Sequence, residues 1–461
     1  MSTVQFDTKY NWDKLEDKWY SYWLDKRYFH ADENSSKEPF TIIIPPPNVT
    51  GKLTMGHVLN NTIQDILIRK ARMEGKNACW IPGTDHASIA TESKVVAMLA
   101  EKGIEKSDLS REEFLNHAWQ WKEKYGGIII KQLKTLGCSC DWDRERFTMD
   151  EDYTNAIMHA FVELYNKDLI YKGKRLVNWC PVSKSAISDE EVIHQEKNGK
   201  LWYLRYPISN EDEFLTVATT RPETMLGDTA VAVNPSDKRY AHLVGKSVYL
   251  PLADREIPII FDELVNLDFG TGCVKVTPAH DPNDFEMGER HKLPFINIMN
   301  PDATLNREVP IKFQKLSREE ARKAVIKEMD AKVLLEKVED YTNNVGFSER
   351  GGVPIEYYLS DQWFMKMESL AKPASEAIKS GSIKFHPQHW VKTYHHWMEN
   401  IKDWCISRQL VWGHQIPVWY HKDNREEMHV SINGPKDKEN WHRYEDVLDT
   451  WASSWLWSFA V

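Results

Sequence analysis

The chain has 461 residues, 41% of them hydrophobic and 28% charged, which gives a prior of roughly two to four domains and excludes a disordered chain. Acidic side chains outnumber basic ones, 69 against 59, for a formal charge of −10, so no global basic excess marks a nucleic-acid binder and any positive surface for RNA is local. No apolar run approaches about 18 residues, Met1 to Trp12 lacks a leader pattern, and six scattered cysteines without a CxxC pair read as reduced thiols of a cytoplasmic protein, which excludes secretion and membrane insertion.

In chain order, Phe40 to Ile44 is a short apolar run of the buried parallel-strand kind, ended by Pro45-Pro46-Pro47, which cannot donate to a ladder. A turn with Gly51 and Gly56 leads into a helical pattern in which Leu59, Ile63, Ile66, Leu67 and Lys70 share a stripe, with Gly75 as its stop. Ala78 to Ile81 predicts a second strand, closed by Pro82-Gly83. Strand, glycine turn, helix and strand make half of a doubly wound α/β fold. Ser110-Arg111-Glu112-Glu113 predicts a capping box opening a long helix that runs to Gly137. From about 200 the texture turns to short β-type runs (Leu201–Tyr206, Phe214–Thr220, Thr229–Val233, Ser247–Leu250, Ile257–Ile260, Cys273–Thr277), read as a compact β-rich insert with one helix opening at Ser317. After Gly351-Gly352 come aromatic-rich helices, a strand-like Ile416–Tyr420 and an exposed loop or hairpin at Lys422 to Asn440.

The sharpest feature is Pro45-Pro46-Pro47-Asn48-Val49-Thr50-Gly51-Lys52-Leu53-Thr54-Met55-Gly56-His57. It puts a small residue and an imidazole at a helix N-terminus after a strand, where unpaired N–H groups and the dipole favour phosphate. Gly56 admits a flat base or phosphate close to the backbone, and His57 offers a donor to a phosphate oxygen that gains charge. An isolated Gly-His would be a turn glycine and a core histidine.

With thirteen residues in this order the sequence resembles the class I aminoacyl-tRNA synthetases, and among them the valyl branch. The likeness continues through Trp80 to Thr91, Thr219 to Thr224, Gly270 to Asp284, Asp403 to Gln409 and Asp446 to Ser454. It implies a Rossmann-like doubly wound parallel-sheet catalytic domain over 1–195 and 346–461, interrupted by a β-rich editing domain over 196–345. It also implies a valine–tRNA ligase that uses ATP with Mg²⁺ to make valyl-adenylate, charges tRNA(Val) and hydrolyses mischarged threonyl-tRNA. The alternatives are a truncated paralogue limited to tRNA binding or editing, and an isoleucyl or leucyl relative; the PPPNVTG and PGTDHA forms argue against the latter.

Carried over by the resemblance, Thr54, Gly56, His57 and Asn48 hold ATP. Asp85 holds the valine ammonium, and Pro46 and Trp451 wall the side chain. In the insert, Asp281 anchors the amino group of the mischarged ester, and Lys275, Thr277 and Asp284 read the threonine hydroxyl. Arg221 and Phe269 meet the terminal adenosine, with Thr219 and Thr220 on the same strip. Taken singly, Asp85 also reads as an Asx turn, Thr219–Thr224 as a capped strand end and Lys275 as a solvated strand face.

Departures bear on these expectations. Thr54 stands where the family signature has its first histidine, and Val411 and Gln415 replace a common tryptophan and arginine. Asn178-Trp179-Cys180-Pro181-Val182-Ser183 keeps one cysteine of a zinc-binding pattern, so structural zinc is not expected. The spacing of His386, His389, His395 and His396 matches no metal pattern. Arg69, Lys70, Arg72 and Lys76 read as a solvated helix face. The family continues beyond Trp451 into a KMSKS loop and an anticodon-binding domain that do not precede Val461, so the chain as given is expected to activate amino acid poorly. A monomer without membrane contact completes the expectation.

Overall fold

The computed structural model describes residues 12–461 except 269 and 425. They form a mixed α/β architecture in two compact units, one made of the described residues up to Ile170 with Ile406–Val461, the other of Tyr171–Cys405. No helix among the described residues is long and apolar enough to cross a membrane.

In the first unit, strands Pro39–Ile43 and Asn77–Ile81 pair in parallel, Pro39 opposite Asn77 and Ile43 opposite Ile81, with helix Met55–Met73 as the crossover. Parallel strands need such a crossover connection. The prolines after Ile44 interrupt the ladder, but the two chain paths meet again where Val49 N–H donates to Asp85 O and Asp85 N–H to Pro47 O, both across 3.0 Å. Gly83–Thr84 then pairs in parallel with Arg146–Phe147. A side chain at Gly83 would overlap the Trp457 ring and the Arg146 carbonyl, so glycine is required there. Helices Ser88–Glu101 and Arg111–Thr135 enclose a core of Val49, Val95, Leu99, Phe114, Ala118, Phe147 and Trp412. Ser110 caps the second helix as its sequence predicts, accepting from Glu113 N–H while Glu113 answers to the cap. The polar 422–440 stretch carries strand Met428–Val430, antiparallel to Val418–His421.

Two expectations on helix Met55–Met73 change. The residues it buries are Asn61, Ile68 and Ala71, whereas Leu59 and Ile66 stay 65% and 60% exposed. The periodicity identified a shared face correctly, but that face is not the one turned to the strands. Arg69 and Arg72 are not a solvated row either. Arg69 donates to Gly137 O at 2.7 Å, and Arg72 to Ser139 O at 2.8 Å and Ser139 Oγ at 2.6 Å. Both tie the helix to the 137–139 turn.

The second unit is β-rich. One sheet runs Ser247–Leu250, Arg255–Phe261, Ala230–Val233, Cys273–Val276, with the middle pair parallel and the others antiparallel. A second runs Leu335–Ser348, Val192–Pro207, Phe214–Thr219, all antiparallel. A core including Tyr206, Val217, Leu226, Val231, Val248, Cys273, Phe313 and Val325 lies between these elements and helix Arg318–Ala331. Ser317 caps that helix through Glu320 in a second capping box, so the helix opens where the sequence places it.

Candidate functional sites

In the first unit, Thr54 is the N-cap of helix Met55–Met73, in extended conformation at φ −101° and ψ 171°. His57 occupies the third helical position and takes the part that glutamate plays in an ordinary capping box. Its Nδ1 accepts the Thr54 backbone N–H at 3.1 Å and lies 2.8 Å from Thr54 Oγ1. With Nδ1 an acceptor, the neutral ring carries its proton on Nε2. Gly56 lies on the exposed first turn, and an added Cβ would come no nearer than 3.7 Å, to Thr54 Oγ1. The protein itself leaves that space open. The approach to the helix is pinned by Leu53 N–H to Gln132 Oε1 at 2.9 Å and by Trp121 Nε1–H to Val49 O at 2.8 Å.

Asp85 is only 5% exposed. Its Oδ1 accepts Ala87 N–H at 2.8 Å and Thr148 Oγ1–H at 3.3 Å, and its Oδ2 accepts Ser454 Oγ–H at 2.6 Å. The Ala87 bond is the Asx turn weighed from sequence, so that reading holds alongside the buried placement. Burial pushes the carboxyl up, but His86, Ser454 and the Ala87 N–H together hold it below the usual range. Asn48, exposed, faces Asp85 across the β-bridge, and Pro46 is half-buried two residues earlier. Trp451 is 66% exposed and lies three residues before Ser454. His86, Thr148 and Ser454 were not singled out from sequence. Ser454 stood at the end of a recognised block, but its partner is 369 residues away. Next to them, His414 packs edge-on against His86 with ring centroids 4.8 Å apart, buried and pushed well down in pKa by that burial.

In the second unit, Lys275 and Thr277 lie on one face of the 273–276 strand and its exit, 8% and 0% exposed. Lys275 is therefore no solvated strand residue. Its Nζ reaches Thr277 Oγ1 at 2.5 Å and Asp228 Oδ1 at 3.4 Å. Asp281 caps helix Pro282–His291, accepting from Asn283 and Asp284 N–H. Asp284 accepts Thr277 N–H at 2.8 Å, and burial, then Asp281, push its carboxyl up to about 7. Buried His280 accepts Ile298 N–H on Nε2 at 3.0 Å and is held down to about 3 by burial, then by Arg221 and Lys275. Lys275, Thr277, Asp281 and Asp284 thus come together, and the fields of Arg221 and Lys275 meet at His280.

Thr219 accepts Arg221 N–H at 3.0 Å, the capped strand end that its sequence also allowed. Arg221 is engaged by carboxylates: its Nε meets Glu223 at 3.2 Å and its Nη2 meets Glu356. Arg318 and Arg322 complete this buried network through Glu356 at 2.6 Å and Glu223 at 2.9 Å. Thr220 is half-buried. Phe269 lies outside the described residues. Asp228, Tyr206, Glu223 and Glu356 were not foreseen; an acid between Gly227 and an apolar strand reads as a turn residue.

Among the described residues, His30, Asp141 and Asp143 place ligand-type atoms within 4.8 Å of one another. Arg144 and Arg27 already pair with the two aspartates, at 3.1 Å and 2.8 Å, so the charges are matched without an ion. Cys180 is buried, its sulfur against Gly351.

Residues 18–461 match the family described as tRNA synthetases class I (I, L, M and V). The chain is 52% identical to a valine–tRNA ligase of Christiangramia forsetii over 98% of its own length and 53% of that protein's. The corresponding figures are 54%, 99% and 53% for one of Bacteroides fragilis, and 50%, 99% and 52% for one of Halalkalibacterium halodurans. The crystal structure of an Agrobacterium radiobacter K84 agnB2 LeuRS-tRNA-LeuAMS ternary complex matches with TM-score 0.47 and 18% identity, over 98% of this chain and 59% of that one. The chain spans about half the length of the curated relatives it matches. It belongs to the class I tRNA synthetases of the I, L, M and V group.

Proposed function

We propose that this chain carries the activation centre and the editing pocket of a valine–tRNA ligase acting in the cytoplasm. The single observation that carries the activation half is the buried, hydrogen-bonded Asp85 bridged to Asn48, at the foot of a turn that ends in a phosphate-type helix N-terminus. The relatives' specificity, at 50 to 54% identity over nearly the whole chain, supports valine as the amino acid and tRNA(Val) as the acceptor.

The valine carboxylate attacks the α-phosphate of ATP, pyrophosphate leaves, and the acyl group then passes from valyl-adenylate to the terminal adenosine of tRNA, releasing AMP. Mg²⁺ bound with ATP supplies charge neutralisation. The protein's part is positioning and preorganised charge. His57 presents Nε2–H to a phosphate oxygen, Gly56 leaves room for the nucleotide against the helix, and Thr54 and Asn48 border it. Asp85 takes the ammonium with the acceptor capacity that its own donors leave, and Pro46 and Trp451 bound the aliphatic group. The fold that does this is read as a Rossmann-like domain over 1–195 and 346–461.

A pocket shaped for valine cannot strongly reject isosteric threonine, a limit long recognised for valine-specific synthetases themselves. The 196–345 insert is read as the hydrolytic remedy. Asp281 meets the α-amino group, Lys275, Thr277 and Asp284 meet the hydroxyl, and Arg221, with Nε and Nη2 already committed, offers Nη1 toward the adenosine beside Thr219 and Thr220.

The test pairs valine-dependent ATP–pyrophosphate exchange with hydrolysis of threonyl-tRNA(Val). Exchange with isoleucine in preference to valine would overturn the specificity. Sparing of threonyl-tRNA(Val) would overturn the editing reading.

A further inference from the structure

Thr277 and Lys275 do not stand as two independent hydrogen-bonding groups. An ammonium has donors only, so the 2.5 Å contact makes Thr277 Oγ1 the acceptor of a Lys275 N–H. The hydroxyl's one proton then goes to Asp228 Oδ1, 2.6 Å away. The second Asp228 oxygen accepts Tyr206 O–H at 2.7 Å. The aspartate's backbone is fixed as well, its N–H donating to Met225 O at 3.0 Å and its carbonyl accepting Arg255 Nη2–H at 3.1 Å. Asp228 is fully buried, and neither its carboxylate nor the Thr277 hydroxyl has surface to offer a ligand. Lys275 keeps 8% exposure and has three N–H bonds, two of them committed to Thr277 and Asp228.

We infer that Asp228 is a positioning residue for hydroxyl specificity in the insert: through Thr277 it aims the one remaining Lys275 N–H at the hydroxyl of a bound threonyl ester. This rests on the editing reading above and changes one assignment within it. Thr277 becomes a relay whose direction is set by a carboxylate and an ammonium, not a group that reads the ligand. The ligand hydroxyl accepts from Lys275 and turns its own proton toward Asp284, a further buried polar group of the cluster.

The test compares hydrolysis of threonyl-tRNA(Val) with hydrolysis of 2-aminobutyryl-tRNA(Val), which lacks the hydroxyl, using the full chain and its Asp228→Asn variant. Loss of an aimed donor should lower kcat/KM about 10-fold for the threonyl ester while leaving the other within about threefold. Thr277→Val should lose the same selectivity, and Thr277→Ser should restore it, which keeps the inference open to refutation even if Asp228→Asn folds poorly. An equal fall for both esters would show that Asp228 acts on the fold alone, and no change for either would show that it does not aim Lys275; both overturn the inference. If the unaltered chain hydrolyses neither ester, the editing reading itself fails and takes this inference with it.

Discussion

The backbone N–H of Thr54 donates to Nδ1 of His57 across 3.1 Å, and this one bond decides which ring nitrogen faces outward as a donor. Because Nδ1 is occupied as an acceptor, a ligand at the helix N-terminus meets Nε2–H. His57→Ala should therefore weaken ATP binding about 10-fold, the usual worth of a hydrogen bond to a charged group. Calorimetric titration with ATP measures this directly. An unchanged Kd would remove His57 from the ATP site.

Ser454 donates to Asp85 Oδ2 at 2.6 Å, so the 451–461 segment helps to define the carboxylate that is proposed to take the valine ammonium. Removing that donor with Ser454→Ala should raise the Kd for valine about 10-fold, because one hydrogen bond to an ion contributes about 1.5–3 kcal/mol and about 1.4 kcal/mol is a factor of ten. Asp85→Asn, which removes the charge itself, should raise it by more than about 100-fold. Both are read by titration with valine, and Ser454→Thr should recover most of the loss. Equal affinities in Ser454→Ala and the parent would separate Ser454 from the site.

Glu356 is 2% exposed and joins Arg221 to Arg318, while Glu223, 0% exposed, joins Arg221 to Arg322. Two buried carboxylates thus serve three guanidinium groups, and the exposed Glu319 adds a third carboxylate 2.9 Å from Arg318 Nε. Glu356→Ala removes the buried partner that Arg221 and Arg318 share, leaving them Glu223 and the exposed Glu319, and about 3 kcal/mol of stability should be lost. The measurement is urea unfolding of the chain, with a lower midpoint at an unchanged m-value. A shift no larger than that of an exposed carboxylate variant outside the network, such as Glu196→Ala, would show that the network is solvated.

What the sequence made legible was local. The capping boxes at Ser110 and Ser317 could be read because donor and acceptor lie three residues apart. The helix entry at Thr54, Gly56 and His57 was legible for the same reason. The surroundings of each site were not. Taken singly, Lys275 reads as a solvated strand residue because its counter-ion Asp228 is 47 residues away, and alternation along a strand cannot tell an exposed face from one that buries a paired charge. The stripe of Leu59, Ile63, Ile66 and Leu67 was recognised as a face, but periodicity reports which side chains align and not what covers them. Arg72 was placed in solvent because nothing local revealed the Ser139 carbonyl 67 residues on.

His280 and Asp284 sit in one buried cluster and should act on stability with opposite signs of pH dependence. His280 is held down to about 3 from 6.5 by burial, Arg221 and Lys275. Between those values the unfolded chain binds a proton that the folded chain does not, so this contribution is complete above pH 6.5 and is lost as the pH falls toward 3. Asp284 is pushed up to about 7 from 3.8 by burial and Asp281. Between those values the folded chain holds the extra proton, so its contribution is complete below pH 3.8 and is lost as the pH rises toward 7. From pH 3.8 to 6.5 the two slopes, each roughly 1.4 kcal/mol per pH unit, cancel. His280→Gln, which can still accept Ile298 N–H, should leave a stability that falls as pH rises through this window. Asp284→Asn, which can still accept Thr277 N–H, should leave one that rises. Urea midpoints for the parent and each variant at several pH values give difference curves in which all other groups drop out. Two flat difference curves would mean that neither side chain is held in its buried protonation state.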